Sequence, residues 1–92
     1  MFIIELSYTA PLEKINAYLE EHRRFLDHYY EKGQFICSGR KEPRDGGIIL
    51  GQFSAREEVE AAIQMDPFHR EGLATYRIIE FLPTKGLFSS ES

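Results

Sequence analysis

One long amphipathic stretch, residues 12–32, most restricts how this chain can fold. Its apolar and aromatic side chains recur at alternating spacings of 3 and 4, the pattern of one helical face; they are Leu12, Ile15, Leu19, Leu26 and Tyr29. His22 is the only ionisable member of that face, and the opposite face is charged. The pattern predicts one long helix packed on a core, with an imidazole where packing alone would favour leucine.

The composition limits the kinds of partner that the chain can have. Its 92 residues include 15 Asp and Glu against 11 Lys and Arg, a net charge of -4 at pH 7. This length corresponds to one small domain. The excess of acidic residues disfavours binding to nucleic acid, whose phosphates bind basic surfaces. There is no run of about 18 apolar residues and no basic N-terminal start typical of a signal peptide. Because Cys37 is the only cysteine, no internal disulfide forms, and we expect a cytoplasmic protein that binds neither membrane nor nucleic acid.

The apolar periodicities predict the order strand, helix, strand, strand, helix, strand. The strands are predicted at residues 2–8, 34–41, 48–53 and 73–82. A capping box of Ser54 and Glu57 begins the second helix, and Pro67 ends it, with a connector after it. Right-handed crossovers then give an α+β, ferredoxin-like βαββαβ domain, a four-stranded antiparallel sheet with both helices on one face. We assign residues 1–85 to this domain and 86–92 to a polar tail.

Apolar residues are predicted on both faces of the sheet. In strand two, Phe35 and Cys37 share one face, whereas Ser38 and Arg40 share the other. The face without helices is expected to carry these two polar residues among apolar ones, namely Ile3, Ile36, Ile49, Ile79 and Phe81. Exposing such an apolar surface to water is unfavourable for a small domain, whose core is limited in size. We therefore expect a homodimer in which two sheets pack face to face.

A second ionisable residue, Asp66, falls on the inner stripe of the second helix. A carboxylate in the last turn of a helix opposes the macrodipole, at a cost of about 0.3–1 kcal/mol if exposed. Since both helices lie on one face of the sheet, we expect Asp66 and His22 in one cavity, where the carboxylate would orient the imidazole. The structural alternative remains open: Asp66 turns the chain before Pro67, and His22 donates to a backbone carbonyl.

Several segments resemble the YCII-related (YciI-like) family over about residues 1–85. They are residues 18–26, 33–39, 66–68, 72–74 and 78–81. The resemblance implies a dimeric α+β barrel, similar in fold to muconolactone isomerase, with a histidine and an aspartate as the proposed active site. In this chain these residues correspond to His22 and Asp66. The family's pair of small residues, Ser-Gly, in strand two corresponds to Ser38 and Gly39.

Three further residues are candidates for substrate binding. Relatives of this subgroup commonly carry proline where this chain has Arg40. At the predicted mouth of the pocket an anion-seeking arginine would alter substrate preference; the alternative is that Arg40 is simply a solvated side chain. Tyr8 ends strand one, where a pocket can open, and Phe68 follows closely on Asp66. Tyr8, Tyr18 and Tyr76 are otherwise interpreted as packing residues.

Two alternative chemistries are disfavoured by the pattern. A nucleophile–base pair of Cys37 and His22 is possible in principle, but a lone cysteine in an apolar strand is usually a small buried hydrophobe. A metal bound by His22, Asp66 and His69 lacks a recognisable ligand spacing. We expect neither a metal nor a cofactor.

Two classes of function remain. In the first, the protein is a small cofactor-free enzyme, in which His22 moves a proton on a small acidic or carbonyl-bearing organic molecule and Asp66 orients His22. Isomerisation, lactone chemistry and dehydrohalogenation all require little more than such a proton shuttle. In the second, the dimer is a non-catalytic ligand-binding or interaction module, and the pair only connects two helices. The sequence favours the first class but does not identify a substrate.

Overall fold

The computed structural model describes residues 1–86 and has the predicted α+β, ferredoxin-like architecture. Its elements are β1 (Phe2–Tyr8), α1 (Leu12–Ala17), α2 (Leu19–Glu31), β2 (Phe35–Arg40), β3 (Gly46–Gly51), α3 (Arg56–Ile63), α4 (Pro67–Arg70) and β4 (Ala74–Glu80). The strand order is β2-β3-β1-β4, and all neighbouring strands are antiparallel. No helix within residues 1–86 has the length and apolar character needed to cross a membrane. Of the predicted polar tail, residues 87–92 lie outside the described residues.

The core lies between the helices and one face of the sheet. Phe2, Ile4 and Leu6 alternate along β1 and are buried, as the period of two predicts. They pack with apolar side chains from α1, α2, α3 and α4 in one cluster; these include Ile15, Phe25, Val59, Ala62 and Phe68. This single cluster fixes the positions of the helices over the sheet.

The helix predicted over residues 12–32 is divided in two at Tyr18. Tyr18 leaves helical geometry, with φ -108° and ψ 8°, and its N–H donates to the carbonyl of Ile15 over 3.1 Å, as in a tighter turn. The helical face nevertheless continues into α2, so Ile15 and Phe25 both reach the core. Because tyrosine is not a helix breaker, the sequence pattern does not reveal the division.

The predicted capping box of Ser54 and Glu57 is wrong. α3 begins one residue later, with Ala55 as an extended N-cap that makes no side-chain capping hydrogen bond. Ser54 therefore lies outside the cap, and Glu57 occupies the second helical position instead of the third.

The predicted position of Asp66 in the last turn of a helix is also wrong. α3 ends at Ile63, and Asp66 is the extended N-cap of the short helix α4, in which Pro67 takes the first position. Proline suits this position because its fixed φ is helical and its missing N–H has no helical partner. The carboxylate thus lies at the favourable end of a helix, and Phe68 belongs to this helix instead of an irregular connector.

A bulge in β2 reverses the predicted facing of its second half. The register shifts between Phe35 and Cys37, after which Ser38 pairs with Ile49 and Arg40 with Gly47. Since Ile49 is buried in the core and directly paired residues share a face, Ser38 and Arg40 belong to the helix-covered face. The prediction placed Ser38, Arg40 and Ile49 on the opposite face.

The other face of the sheet carries apolar residues that no helix covers. Strand pairing brings Ile3 beside Leu50 on one side and Ile79 on the other, with Ile48 opposite Glu5. Ile48 and Ile79 are each more than a third exposed. We call this surface the open face.

Candidate active site

His22 and Asp66 meet across the helical layer, although 44 positions separate them in sequence. The Nδ1 atom of His22, on α2, lies 2.8 Å from the Oδ1 atom of Asp66. The Asp66 side chain is fully buried, whereas 12% of the His22 side chain remains exposed. The pair therefore joins a fully buried carboxylate to an imidazole that is partly exposed to solvent.

The Asp66 carboxylate accepts three hydrogen bonds. Besides His22, the backbone N–H of Phe68 donates to Oδ1 over 3.0 Å, and the hydroxyl of Tyr76 donates to Oδ2 over 2.6 Å. Such bonds offset the cost of burying the carboxylate. Because a carboxylate only accepts, the Nδ1 atom of His22 carries the proton of their bond, which leaves Nε2 as the basic nitrogen of the neutral ring.

Tyr76 belongs to this hydrogen-bonded group, although the sequence suggests a packing role. Burial raises the pKa of its phenol above the ordinary value, and the neighbouring Asp66 carboxylate raises it further. The phenol is therefore a stable hydrogen-bond donor at neutral pH. The pairing of Leu6 with Tyr76 places Tyr76 on the helix-covered face, but only knowledge of where Asp66 lies would have identified the contact.

The imidazole ring of His22 is held from two directions. It stacks on the ring of Phe68, with centroids 4.1 Å apart and planes 7° apart, while Asp66 holds Nδ1. Arg70 on α4 also donates from Nη1 to Glu21 on α2 over 2.6 Å, which ties the two helices together. The hydrogen bond from Arg70 lowers the pKa of Glu21. Stacking and hydrogen bonding together leave His22 little freedom to rotate.

A cavity of about 380 Å³ lies beside His22. It brings together the substrate-binding candidates of the sequence analysis, Tyr8, Ser38, Gly39, Arg40 and Phe68, with the imidazole. Asp66 does not line it and reaches it only through His22. The cavity thus gathers residues from β1, β2, α2 and α4 around His22.

The cavity also contains polar residues that the sequence analysis did not select. Arg23, next to His22, and Arg44, in the turn between β2 and β3, line it together with Asn16. Arg44 donates from Nη2 to Oδ1 of Asn16 over 2.6 Å. No sequence motif marks these residues, because they converge only once the β2–β3 turn folds toward α1.

Neither of the disfavoured residues lines the cavity. Cys37 is exposed, contrary to the buried position expected of it, and it pairs with Leu50 on the open face. His69 is exposed, and its ring packs in a T-shaped arrangement with that of Tyr76, with centroids 5.6 Å apart. Within residues 1–86, no three His, Cys, Asp or Glu side chains form a group that could hold a metal ion.

Fold and site together define a small α+β protein with a histidine–aspartate pair beside a cavity. Residues 1–82 match the YCII-related domain, so the chain belongs to this family, and the predicted family membership is confirmed. No curated protein sequence matches the chain.

A solved structure of similar fold is 5-chloro-2-hydroxyhydroquinone dehydrochlorinase (TftG) from Burkholderia phenoliruptrix AC1100, in complex with 2,5-dihydroxybenzoquinone. The TM-score is 0.75, and the match covers 90% of this chain and 95% of that protein. Sequence identity is 16%, so the likeness concerns the fold.

Proposed function

We propose that the protein is a cofactor-free enzyme in which His22 transfers a proton on a small organic molecule bound in the cavity. The observation that carries the proposal is the hydrogen bond from His22 to a fully buried carboxylate, made by a ring that also lines the cavity. A histidine required only for packing has no need of a buried charged partner, whereas a proton shuttle gains a fixed tautomer and orientation.

The proton moves through the nitrogen that Asp66 leaves free. Nε2 of His22 removes a proton from a carbon next to a carbonyl, and the electron pair of that C–H bond moves toward the carbonyl oxygen. The imidazolium then keeps its Nδ1–H bond to Asp66. In an isomerisation it returns the proton to another carbon; in a dehydrohalogenation the electron pair forms a C=C bond and expels halide.

The remaining cavity residues are assigned to substrate binding. The cavity is lined by Ser38, Gly39 and Arg40 at the end of β2 and by Tyr8 at the end of β1. Phe68 supports the imidazole by stacking on it. The dehydrochlorinase activity in the name of the similarly folded protein supports elimination as one of the reactions to test.

We also propose that the open face is the interface of a homodimer. Ile3, Ile48, Leu50 and Ile79 form an uncovered apolar surface on a chain of 92 residues. Burying it against a second copy would remove this surface from water, as expected for a dimeric α+β barrel.

Proton transfer can be tested without knowing the natural substrate. Small ketones, keto acids, lactones and 5-chloro-2-hydroxyhydroquinone are incubated with the protein in D2O, and NMR follows deuterium incorporation while an electrode follows chloride release. We expect at least one compound to react, and replacing His22 with Asn to slow it by about 10²–10⁴-fold.

The matched control is His28→Asn, which alters an exposed histidine on the same helix that does not line the cavity. It should retain the wild-type rate. If no compound reacts, or if His22→Asn retains the rate of His28→Asn, the chain is better described as a non-catalytic binding module.

A further inference from the structure

The cavity has an electrostatic character opposite to that of the chain. The net charge is -4, yet Arg23, Arg40 and Arg44 line the cavity, and no Asp or Glu is among its described lining residues. Lining side chains of one sign concentrate ligands of the other sign. Arg40 is ion-paired with Glu42 over 3.2 Å, but Arg23 and Arg44 have no carboxylate partner within residues 1–86, so the cavity is basic although the protein is acidic.

Arg40 keeps most of its hydrogen-bonding capacity free. Its Nε atom donates to Glu42 over 3.2 Å, but among residues 1–86 neither of its Nη groups has a hydrogen-bond partner. The bulge in β2 places Arg40 on the helix-covered face, on the same side of the sheet as His22. A guanidinium with free Nη donors is suited to a bidentate contact with a carboxylate.

Arg44 is fixed in place without being neutralised. Its hydrogen bond is to the amide oxygen of Asn16, a neutral acceptor, and no carboxylate pairs with it within residues 1–86. The contact ties the β2–β3 turn to α1, so the guanidinium is positioned while its charge remains uncompensated. A residue needed only to anchor the turn would not have to line the cavity.

We propose that the substrate carries a carboxylate group, bound by Arg40 and Arg44, with its reacting carbon presented to Nε2 of His22. This inference rests on the proposed function and specifies its substrate class as a small organic acid. The cavity volume, about 380 Å³, is near the lower end for ligand pockets and suits a single ring or a short chain. The carboxylate supplies binding energy and orientation, while proton transfer occurs elsewhere on the molecule.

The probes are matched pairs that differ in charge: 4-hydroxybenzoate with 4-hydroxybenzamide, and succinate with succinamide. NMR titration of the full chain measures each Kd from backbone amide shifts. We expect at least one carboxylate to bind about tenfold or more tightly than its amide, with shifts at Arg40, Arg44 and His22. If no carboxylate binds at its solubility limit, or if the amides bind equally well, the inference is wrong.

Variants assign the binding to particular arginines. Arg40→Gln and Arg44→Gln should each weaken carboxylate binding by about tenfold, and neither should change amide binding. Arg56→Gln is the control, because Arg56 lies on α3, pairs with Glu60 and does not line the cavity. Equal carboxylate affinity in all three variants would contradict the assignment.

The same measurements separate this inference from the proposed function. His22→Asn removes the proton shuttle but leaves both guanidinium groups, so carboxylate binding should persist within about threefold. Carboxylate binding without turnover of any acid would refute catalysis and retain the anion site. Turnover confined to uncharged compounds, and unchanged by Arg40→Gln, would refute the anion site and retain catalysis.

Discussion

The hydroxyl of Tyr76 and the imidazole of His22 bind opposite oxygens of one buried carboxylate, at 2.6 Å and 2.8 Å. Tyr76 lies on β4 and His22 on α2, so Asp66 joins the sheet to the helix that carries the candidate base. A carboxylate held on both sides cannot rotate without breaking a hydrogen bond. Tyr76 is therefore a positioning residue for Asp66, and through it for His22.

Replacing Tyr76 with Phe should test this arrangement. The change removes one donor from a buried acceptor, so we expect the free energy of unfolding to fall by about 1–3 kcal/mol in chemical denaturation. Tyr18→Phe is the control, because the Tyr18 hydroxyl has no hydrogen-bond partner within residues 1–86; it should cost less than about 0.5 kcal/mol. Equal losses in the two variants would show that the Tyr76–Asp66 bond contributes little.

The raised pKa of the Tyr76 phenol predicts loss of stability in alkali. In the unfolded chain this phenol ionises near its ordinary pKa of about 10, whereas in the folded chain it keeps its proton to higher pH. The contribution is thus fully present below about pH 10 and is lost as pH rises beyond it, because only the unfolded state releases the proton. Denaturation measured from about pH 8 to about pH 11 should show this decline.

Tyr29, whose pKa burial also raises, contributes in the same direction. In Tyr76→Phe the alkaline decline should therefore be smaller than in wild type but not absent. An unchanged decline in this variant would mean that Tyr76 is not its source.

The free energy of unfolding should respond differently to replacement of Asp66 and of His22. Asp66→Ala removes the cap of α4 and leaves the donors of His22, Phe68 and Tyr76 without an acceptor. We therefore expect the free energy of unfolding to fall by about 2–4 kcal/mol. His22→Leu leaves each Asp66 oxygen with a donor, Phe68 N–H on Oδ1 and the Tyr76 hydroxyl on Oδ2. It also extends the apolar face of α2, so thermal and chemical unfolding should place this variant within about 1 kcal/mol of wild type. A large loss in His22→Leu would favour a structural role for the histidine.

The homodimer is tested by mass and by disruption of the open face. Sedimentation at micromolar concentration should give about twice the chain mass of 10.7 kDa. Ile79→Lys places a charge on the open face and should shift the protein toward monomer. Gln64→Lys, at an exposed position after α3, should leave the dimer intact. A monomeric wild type would contradict the interface.

Periodicity made most of the fold predictable, because period two and helical spacing depend only on which side chains avoid water. Phe2, Ile4 and Leu6 are buried as expected, and the element order then permits few topologies. Helix ends are harder to predict from sequence, since they depend on local hydrogen bonds of modest energy. The shift of the α3 N-cap to Ala55 and the division at Tyr18 are of this kind.

The residues of the candidate site were predictable only in part. His22 and Asp66 stand out because each is ionisable on an apolar stripe. Tyr76 and Arg44 do not, because tyrosine in a strand and arginine in a turn are ordinary, and their partners, 10 and 28 positions away, lie on other elements. Contacts of this type require the folded chain.

The bulge between Phe35 and Cys37 shifts the pairing register of β2 by one residue. Every side chain beyond it exchanges faces while the amino acids themselves stay the same. Removing one residue at the bulge would turn Arg40 away from the cavity and Gly39 toward it. A family built on this strand can therefore alter what its cavity binds by changing strand length alone, without substituting any residue that contacts the ligand.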